Sequence, residues 1–222
     1  MRLDFSGTFA RADLLLSGAL LTVELAAASM VIGFAIALAC AGLQLTQPRS
    51  AGRLVTAYVE LIRNTPFLVQ IFIVYYGLPF IGLRFSPVAA SILGLSIYVG
   101  AYATEILRAG IQAVGRGQIE AARALGLRPR GILRHVIIVP ALASTYPALT
   151  SQFILLMLAT SIVSAISTPE LTGAANDING LTFRSLEAYL TVAAFYLAIS
   201  AVFRLVFAGL GRVLFPFEKA RA

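Results

Sequence analysis

Long apolar runs recur along this 222-residue chain and restrict it to folds that fit inside a lipid bilayer. Four runs, at about residues 17–43, 87–107, 143–166 and 188–210, are long enough to cross the hydrocarbon core as helices at about 1.5 Å per residue. No water reaches backbone polar groups in that core, so a helix, which pairs them internally, is the expected element. The sequence therefore predicts an all-α, polytopic membrane protein.

A fifth run, at about 54–80, is less regular. Its wholly apolar part, from Phe67 onward, is only about half the length needed to cross. Residues 58–66 must therefore be shielded by protein or lie at the membrane interface. Counted as a span, this run gives about five transmembrane helices in one domain, 1–222, with the chain termini on opposite sides of the membrane.

Composition excludes several classes of function. Charged residues are only 12% of the chain, about half of their usual share in soluble domains. The net charge is +7, but the basic residues border apolar runs instead of covering an accessible face, so we expect no nucleic-acid binding. A single cysteine, Cys40, rules out an internal disulfide, and with a single histidine, His135, we expect no metal site.

Lysine usage bears on the energy source. Lys219 is the only lysine in the sequence, so the chain holds no phosphate-binding loop of the Gly-x-x-x-x-Gly-Lys-Ser/Thr type. If ATP drives this protein, another chain must hydrolyse it. We expect no cofactor and no enzymatic chemistry in this chain.

Arginine and lysine placement orients the spans, because short cytoplasmic loops accumulate these residues. One predicted side carries Arg49, Arg53, Arg108, Arg116, Arg123, Arg128, Arg130, Arg134, Arg212, Lys219 and Arg221, whereas the other carries Arg2, Arg11, Arg84 and Arg184. This asymmetry predicts an outside N-terminus and a cytoplasmic C-terminus. It also places the loop at about 111–140 in the cytoplasm.

That loop has the pattern of two helices joined by a turn. Residues 118–125 are good helix formers, Gly126 is a suitable stop, and Pro129 is placed to open a second helix that ends before the next span. The first helix offers little side-chain bulk at its alanines, so a partner could approach it closely, while charged residues set the orientation. A bland alternative is an amphipathic helix lying on the membrane surface. The residues assigned to partner coupling are Gly117, Glu120, Ala121, Ala122, Arg123 and Gly126.

The loop resembles the Glu-Ala-Ala loop of ABC importer permeases, which docks into the ATPase subunit. Further segments resemble polar amino-acid permeases of that group: RNTPFLVQ at 63–70, GAYATEILRAGIQ at 100–112, GQIEAA at 117–122, TSIVS at 160–164 and PELT at 169–172. Two features depart from the usual pattern of that group. Pro140 stands one position later than usual, and no lysine precedes Thr160.

The resemblance implies a set of partners. These are a second permease of the same or a homologous chain, an ATPase dimer that binds ATP and Mg²⁺, and an extracytoplasmic solute-binding protein. It also implies a polar amino acid or related zwitterion as the solute, and the bacterial inner membrane as the location.

Ionisable groups within an apolar layer are costly and normally face the bundle interior, a partner or water. The spacing of Glu60 and Arg63 favours a local ion pair on one helix face, and Glu24 is also consistent with a hydrated interfacial carboxylate. Pro66 removes an N–H group, which would leave backbone carbonyls free to meet a polar solute. The candidate pathway residues are Glu24, Glu60, Arg63, Asn64, Thr65, Gln70 and Glu105.

Other readings remain open at this stage. An ATP-independent secondary transporter or channel would use the intramembrane carboxylates to relay ions. A membrane scaffold would recruit a partner without moving a solute. The outer segment 168–187, with a polar turn cluster at 176–180, is either a contact for a binding protein or a plain solvated loop.

Overall fold

The computed structural model describes residues 3–46 and 49–216, and within these ranges every regular element is helical. The elements are α1 (Ser6–Phe9), α2 (Ala12–Thr46), α3 (Arg49–Arg63), α4 (Phe67–Phe72), a π-helical turn (Ile73–Gly77), a 3₁₀ turn (Leu78–Ile81), α5 (Pro87–Gln112), α6 (Arg116–Ala124), α7 (Pro129–Gly131), a π-helical stretch (Ile132–Ile138), α8 (Val139–Ala159), a 3₁₀ stretch (Thr160–Ile166), α9 (Leu171–Thr182) and α10 (Ser185–Leu214).

Four of the described helical segments are long and apolar enough to cross a membrane, and a bent pair of helices makes a fifth if it is counted as one span. The prediction of an all-α polytopic membrane protein is confirmed. Arg2, Lys219 and Arg221, which entered the charge count, lie outside the described residues.

The core forms where α2 packs closely along α5. A Cβ atom built on Gly33 of α2 would lie 2.9 Å from the Ser96 carbonyl oxygen, and one built on Gly100 of α5 would lie 3.0 Å from the Ile36 side chain. Larger residues at either position would push the two backbones apart, so the glycines permit the close approach. Beside this contact, the main core cluster gathers buried side chains from α2, α4, α5, α8 and the 3₁₀ stretch that follows α8.

The run at 54–80 is not one straight helix. Helix α3 and the helical segment 67–81 meet at an angle of 106° across a short break that contains Pro66. Proline disfavours helical geometry in the residue before it and lacks an N–H donor, so the helix stops there and restarts in a new direction. Helix α3 buries Val55 and Val59 against Ala101 of α5.

The fourth span differs from its prediction. The Arg-rich segment after Gly126 does not end before the span, because helical structure runs without interruption from Pro129 to Ile166. A π-helical stretch precedes Pro140, the proline that stands one position later than usual in the sequence pattern. Such stretches absorb local irregularity within a continuous helix.

The outer segment is neither a plain solvated loop nor a turn at 176–180. It folds as α9, whose Leu171, Ala175 and Ile178 are buried against Leu15 of α2 and against α10. Glu170 caps the N-terminus of this helix by accepting a 2.9 Å hydrogen bond from the backbone N–H of Gly173.

The start of the chain is tied to the turn that follows α9. Arg184 forms a 2.8 Å ion pair with Asp4, and the Asp4 backbone N–H donates to the Glu187 carboxylate at 3.1 Å. These contacts hold the segment before α2 against the outer end of α10.

Candidate functional site

A polar pocket of about 500 Å³ lies between α2, α3 and α5. It carries both signs of charge, and a neighbouring pocket of about 620 Å³ shares four of its residues. The lining of the polar pocket is Gln44, Thr56, Val59, Glu60, Arg63, Asn64, Tyr102, Glu105 and Arg108. Four of the seven pathway residues that the sequence indicated, Glu60, Arg63, Asn64 and Glu105, therefore lie together.

Glu105 is the centre of the charge network in this pocket. Its carboxylate accepts a 2.9 Å hydrogen bond from Arg108 Nε and a second, shorter one from Arg108 Nη2. Arg63 approaches the same carboxylate at 3.8 Å and also lies over the Tyr102 ring, 5.5 Å from its centroid. One carboxylate thus holds two guanidinium groups in place.

The predicted ion pair between Glu60 and Arg63 is therefore not formed in the structure. Arg63 turns to Glu105 on α5, 42 positions further along the chain, and Glu60 has no ion-pair partner among the described residues. Glu60 is exposed in the isolated chain and lines both pockets. It is the carboxylate of the pocket that a ligand could reach without displacing a guanidinium.

The corner after α3 is closed by its own side chains. Asn64 Nδ2 donates to the Glu60 carbonyl at 2.8 Å, and Thr65 Oγ1 donates to the Leu61 carbonyl at 2.8 Å. Gln70 Nε2 donates to the carbonyls of Ile62, at 2.7 Å, and Thr65, at 3.0 Å. The expectation of free carbonyls beside Pro66 is therefore wrong, since these side chains occupy the last carbonyls of the helix.

Glu24 lies apart from the pocket. It is exposed on α2, on the same face as Leu16, Leu20 and Val31, which are also exposed. In the isolated chain this carboxylate belongs to an outer apolar face and is not among the pocket residues.

The predicted helix–turn–helix after α5 is confirmed. Helix α6 ends in a Schellman motif, in which the N–H of Leu127 donates to the Ala122 carbonyl at 3.1 Å and the N–H of Gly126 donates to the Arg123 carbonyl at 2.9 Å. Gly126 has φ of +74°, a left-handed conformation that glycine adopts without steric cost. The turn is thus specified by a residue that the sequence had singled out.

One residue of α6, Ala122, does not lie on the exposed face that the sequence analysis predicted for it. Ala122 is only 6% exposed and packs toward the helix that begins at Pro129, where Ile132 is equally buried. Gly117, Glu120, Ala121 and Arg123 are exposed. The expectation that Ala122 meets a partner is therefore corrected, because it holds the loop together instead.

Sequence reasoning missed Leu125 at the tip of this loop. Its side chain is 80% exposed, directly before the Gly126 turn and close in sequence to Arg123 and Arg128, which are also exposed. Leu125 therefore adds a large apolar group to the exposed surface of this basic loop. The signal in the sequence was its position directly before Gly126, the residue predicted to end the helix.

A second missed cluster lies at the end of the bundle where α9 packs against α2 and α10. Glu170 is fully buried and accepts hydrogen bonds from Tyr196, at 2.6 Å, and from Thr22, at 3.5 Å. Burial raises the pKa of the Glu170 carboxyl, and these hydrogen bonds offset only part of that effect. Thr22 Oγ1 also accepts from the Leu171 backbone N–H at 3.1 Å, so one cluster joins α2, α9 and α10.

The sequence matches a family model described as "Binding-protein-dependent transport system inner membrane component" over residues 29–216. The chain belongs to this family. The permease is 37% identical over 191 residues to the nopaline transport system permease protein NocM of Agrobacterium fabrum, a match that covers 82% of this chain and 79% of that protein. It is 33% identical over 214 residues to the glutamine transport system permease protein GlnP of Escherichia coli K12, which covers 96% and 98% of the two chains.

Solved structures agree with this assignment. The fold of the permease matches a chain from "Crystal structure of an amino acid ABC transporter with histidines" with a TM-score of 0.88 and 35% identity, over 96% of this chain and 99% of that one. A chain of the inward-facing MetNI methionine ABC transporter matches with a TM-score of 0.74 over 92% and 98% of the two chains, and at 21% identity this likeness concerns the fold alone.

The prediction of a permease subunit in a binding-protein-dependent transport system of the inner membrane is therefore confirmed. The family assignment argues against the secondary transporter and the membrane scaffold as alternatives.

Proposed function

We propose that the permease is one of two membrane subunits of an ATP-driven importer for a polar amino acid or a related zwitterion. Its partners would be a second permease, identical or homologous, a cytoplasmic ATPase dimer and an extracytoplasmic solute-binding protein. The family assignment supports the binding protein, and the nopaline and glutamine permeases among its relatives support the class of solute.

The pocket between α2, α3 and α5 is the observation that carries this proposal. An amino acid presents a carboxylate and an ammonium group, and the pocket presents guanidinium groups and carboxylates within one polar cavity. Arg63 and Arg108 are held by Glu105, whereas Glu60 is uncommitted and available to a cationic group. Asn64 lines the same pocket, and Thr65 and Gln70 fix the corner that positions it. Glu24 acts outside this pocket, on the face that we assign to the second permease.

Coupling to the ATPase is assigned to the loop around α6. Glu120, Ala121, Arg123 and the Leu125 tip form its exposed surface, Gly117 leaves the start of the helix uncovered, and Ala122 and Gly126 keep the loop in shape. ATP and Mg²⁺ bind to the partner, and this chain needs no cofactor. ATP closes the ATPase dimer, and the energy for switching access comes from tighter binding of ATP to the closed state.

The orientation follows from charge. An outside N-terminus and a cytoplasmic C-terminus put the basic α6 loop on the ATPase side and α9 on the side of the solute-binding protein.

The decisive experiment is purification of the tagged permease from its native membrane, followed by identification of the co-purifying chains. Recovery of an ATPase with a phosphate loop, together with a second copy or a homologous permease, is the expected result. Recovery of this chain alone, able to transport an amino acid into liposomes under an ion gradient without ATP, would overturn the proposal.

A further inference from the structure

A second groove, lined mainly by apolar side chains, lies between α8 and α10, outside the pocket described above. Its volume is about 690 Å³, and Arg204 of α10 lies within it. The residues that line it are Tyr146, Pro147, Thr150, Ser151, Ile154, Leu155, Leu158, Ser200, Arg204, Phe207 and Ala208. At the inner end of the groove, Tyr146 donates a 2.7 Å hydrogen bond to the Phe207 carbonyl, which fixes the spacing of the two helices.

Arg204 stands deep within a membrane-spanning helix. Helix α10 runs from Ser185 to Leu214, so Arg204 lies about 28 Å from its outer end and about 15 Å from its inner end at 1.5 Å per residue. A guanidinium at such a depth is costly unless it meets water, a partner group or a passing ligand. The ion pairs formed within residues 3–46 and 49–216 do not include Arg204.

Three arginines at or near the ends of the helices are already paired. Arg63 and Arg108 both hold Glu105, and Arg184 holds Asp4 at the outer end of the bundle. Arg204 forms no such pair among the described residues, and it lies further from the ends of its spanning helix than Arg212, which also lacks an ion pair there.

Two hydroxyl groups across the groove have complementary chemistry. Thr150 Oγ1 and Ser151 Oγ both donate their hydrogens to the Pro147 carbonyl, each at 2.9 Å. With their hydrogens committed to the backbone, the two oxygens can only accept further hydrogen bonds. An ammonium group is a donor that suits them, just as a carboxylate suits Arg204.

We infer that the α8–α10 groove is a second solute contact, in which Arg204 binds the carboxylate of a zwitterion and the Thr150 and Ser151 oxygens accept from its ammonium group. This inference rests on the proposed import of an amino acid.

The test measures direct binding to the purified complex of permease and ATPase without the solute-binding protein, so that affinity reports on the membrane subunits alone. The probes are L-glutamine and L-arginine, each beside its carboxamide, which lacks the carboxylate. Arg204→Gln is compared with Arg204→Lys, and with Arg212→Gln as a matched control on an exposed arginine of α10 that does not line the groove.

We expect the unmodified complex to prefer the acid over the amide, and Arg204→Gln to lose about tenfold in affinity together with that preference. Arg204→Lys should retain part of the affinity and part of the preference for the acid. Arg212→Gln should retain both the affinity and the preference in full. Unchanged affinity and preference in Arg204→Gln would overturn the inference.

Two other outcomes would also overturn it. Loss of a co-purifying phospholipid in Arg204→Gln, with solute binding intact, would assign the groove to a lipid headgroup. Loss of the second permease would assign Arg204 to a contact between subunits. Failure of the proposed function has a different signature, because the unmodified transporter would then take up no amino acid in cells.

Discussion

At the scale of single residues, the two carboxylates of the α2–α3–α5 pocket are bound differently. Glu105 accepts hydrogen bonds from Arg108 and an ion pair from Arg63, so its removal would free two guanidinium groups. Glu60 has no such partner among the described residues, so its removal breaks no internal pair. The carboxylate of Glu105 is thus committed to contacts within the chain, whereas the carboxylate of Glu60 has no ion-pair partner among the described residues.

This difference makes a prediction for uptake. Glu60→Gln should lower amino-acid uptake by about tenfold while leaving the melting temperature within about 1 °C, because the solute loses a contact and the protein does not. Glu105→Gln should lower both the uptake and the melting temperature. Uptake into cells and thermal unfolding in detergent are the two measurements, with Arg212→Gln, an exposed residue that lines neither pocket, as the control. Full uptake by Glu60→Gln would contradict the pocket assignment.

Glu170 gives a prediction for pH. Burial raises the pKa of its carboxyl above the ordinary 4.5. Below pH 4.5 the group is protonated in both the folded and the unfolded chain. As the pH rises from 4.5 toward the folded-state pKa, the unfolded chain releases the proton first, so the free energy of unfolding falls across this window.

Glu170→Gln removes the titrating group and should therefore flatten the fall in melting temperature above pH 4.5. Scans of thermal unfolding in detergent at stepped pH values measure the slope, and Asp177→Asn on the same helix should keep it. Equal slopes for Glu170→Gln and the unmodified protein would show that Glu170 does not carry this dependence.

At the scale of elements, the corner after α3 and the turn after α6 are built by different means. The corner relies on side chains, since Gln70 alone donates to Ile62 and Thr65 carbonyls across the break at Pro66. The turn relies on backbone geometry, since Gly126 adopts a left-handed conformation and its neighbours close a Schellman motif. A side-chain deletion should therefore weaken the corner, whereas any residue with a Cβ strains the turn.

The turn supplies a prediction for assembly. Gly126→Leu strains a left-handed backbone by about 1–2 kcal/mol and Ala121→Trp adds bulk to the exposed face of α6, so both should abolish co-purification of the ATPase. Membrane insertion should remain intact, because neither residue lies in a span. Ala198→Trp, the same substitution on an exposed alanine of α10, is the control. Retained ATPase in the first two variants would exclude docking through α6.

At the scale of the whole molecule, contacts place the starts of α2, α5 and α10 and all of α9 at one end of the bundle. Ser91 near the start of α5 bonds to Thr168 at 2.8 Å, and Gly18 of α2 lies against Leu171 of α9. The α6 loop follows the opposite end of α5. From the charge asymmetry of the loops we propose that this second end faces the cytoplasm.

Cysteine labelling tests that assignment. In a Cys40→Ala background, Gly180→Cys on α9 should react with a membrane-impermeant maleimide added to intact cells, whereas Gly117→Cys on α6 should react only after lysis. Both glycines have open space around them, so the substitutions should not disturb packing. The reverse pattern would invert the topology.

The sequence predicted features that depend on neighbouring residues. The length of the apolar runs predicted the membrane spans, and the positions of Gly126 and Pro129 predicted the helix–turn–helix. It could not predict partners brought together by the fold, such as Arg63 with Glu105 or Glu170 with Thr22, because their separation of 42 and 148 positions carries no periodic signal. Continuity through Pro140 was missed for a related reason, since a π-helical stretch accommodates a proline that usually marks a boundary.

The uninterrupted helix from Pro129 to Ile166 has a mechanical consequence. Beyond the π-helical stretch, the part from Val139 to Ile166 is about 45 Å long. A tilt of roughly 10° about the π-helical stretch, which packs against α6, would displace the far end of this segment by about 8 Å. Such a displacement would be wider than a water molecule, so a small rotation beside the α6 loop would produce a large movement at the opposite end of the helix.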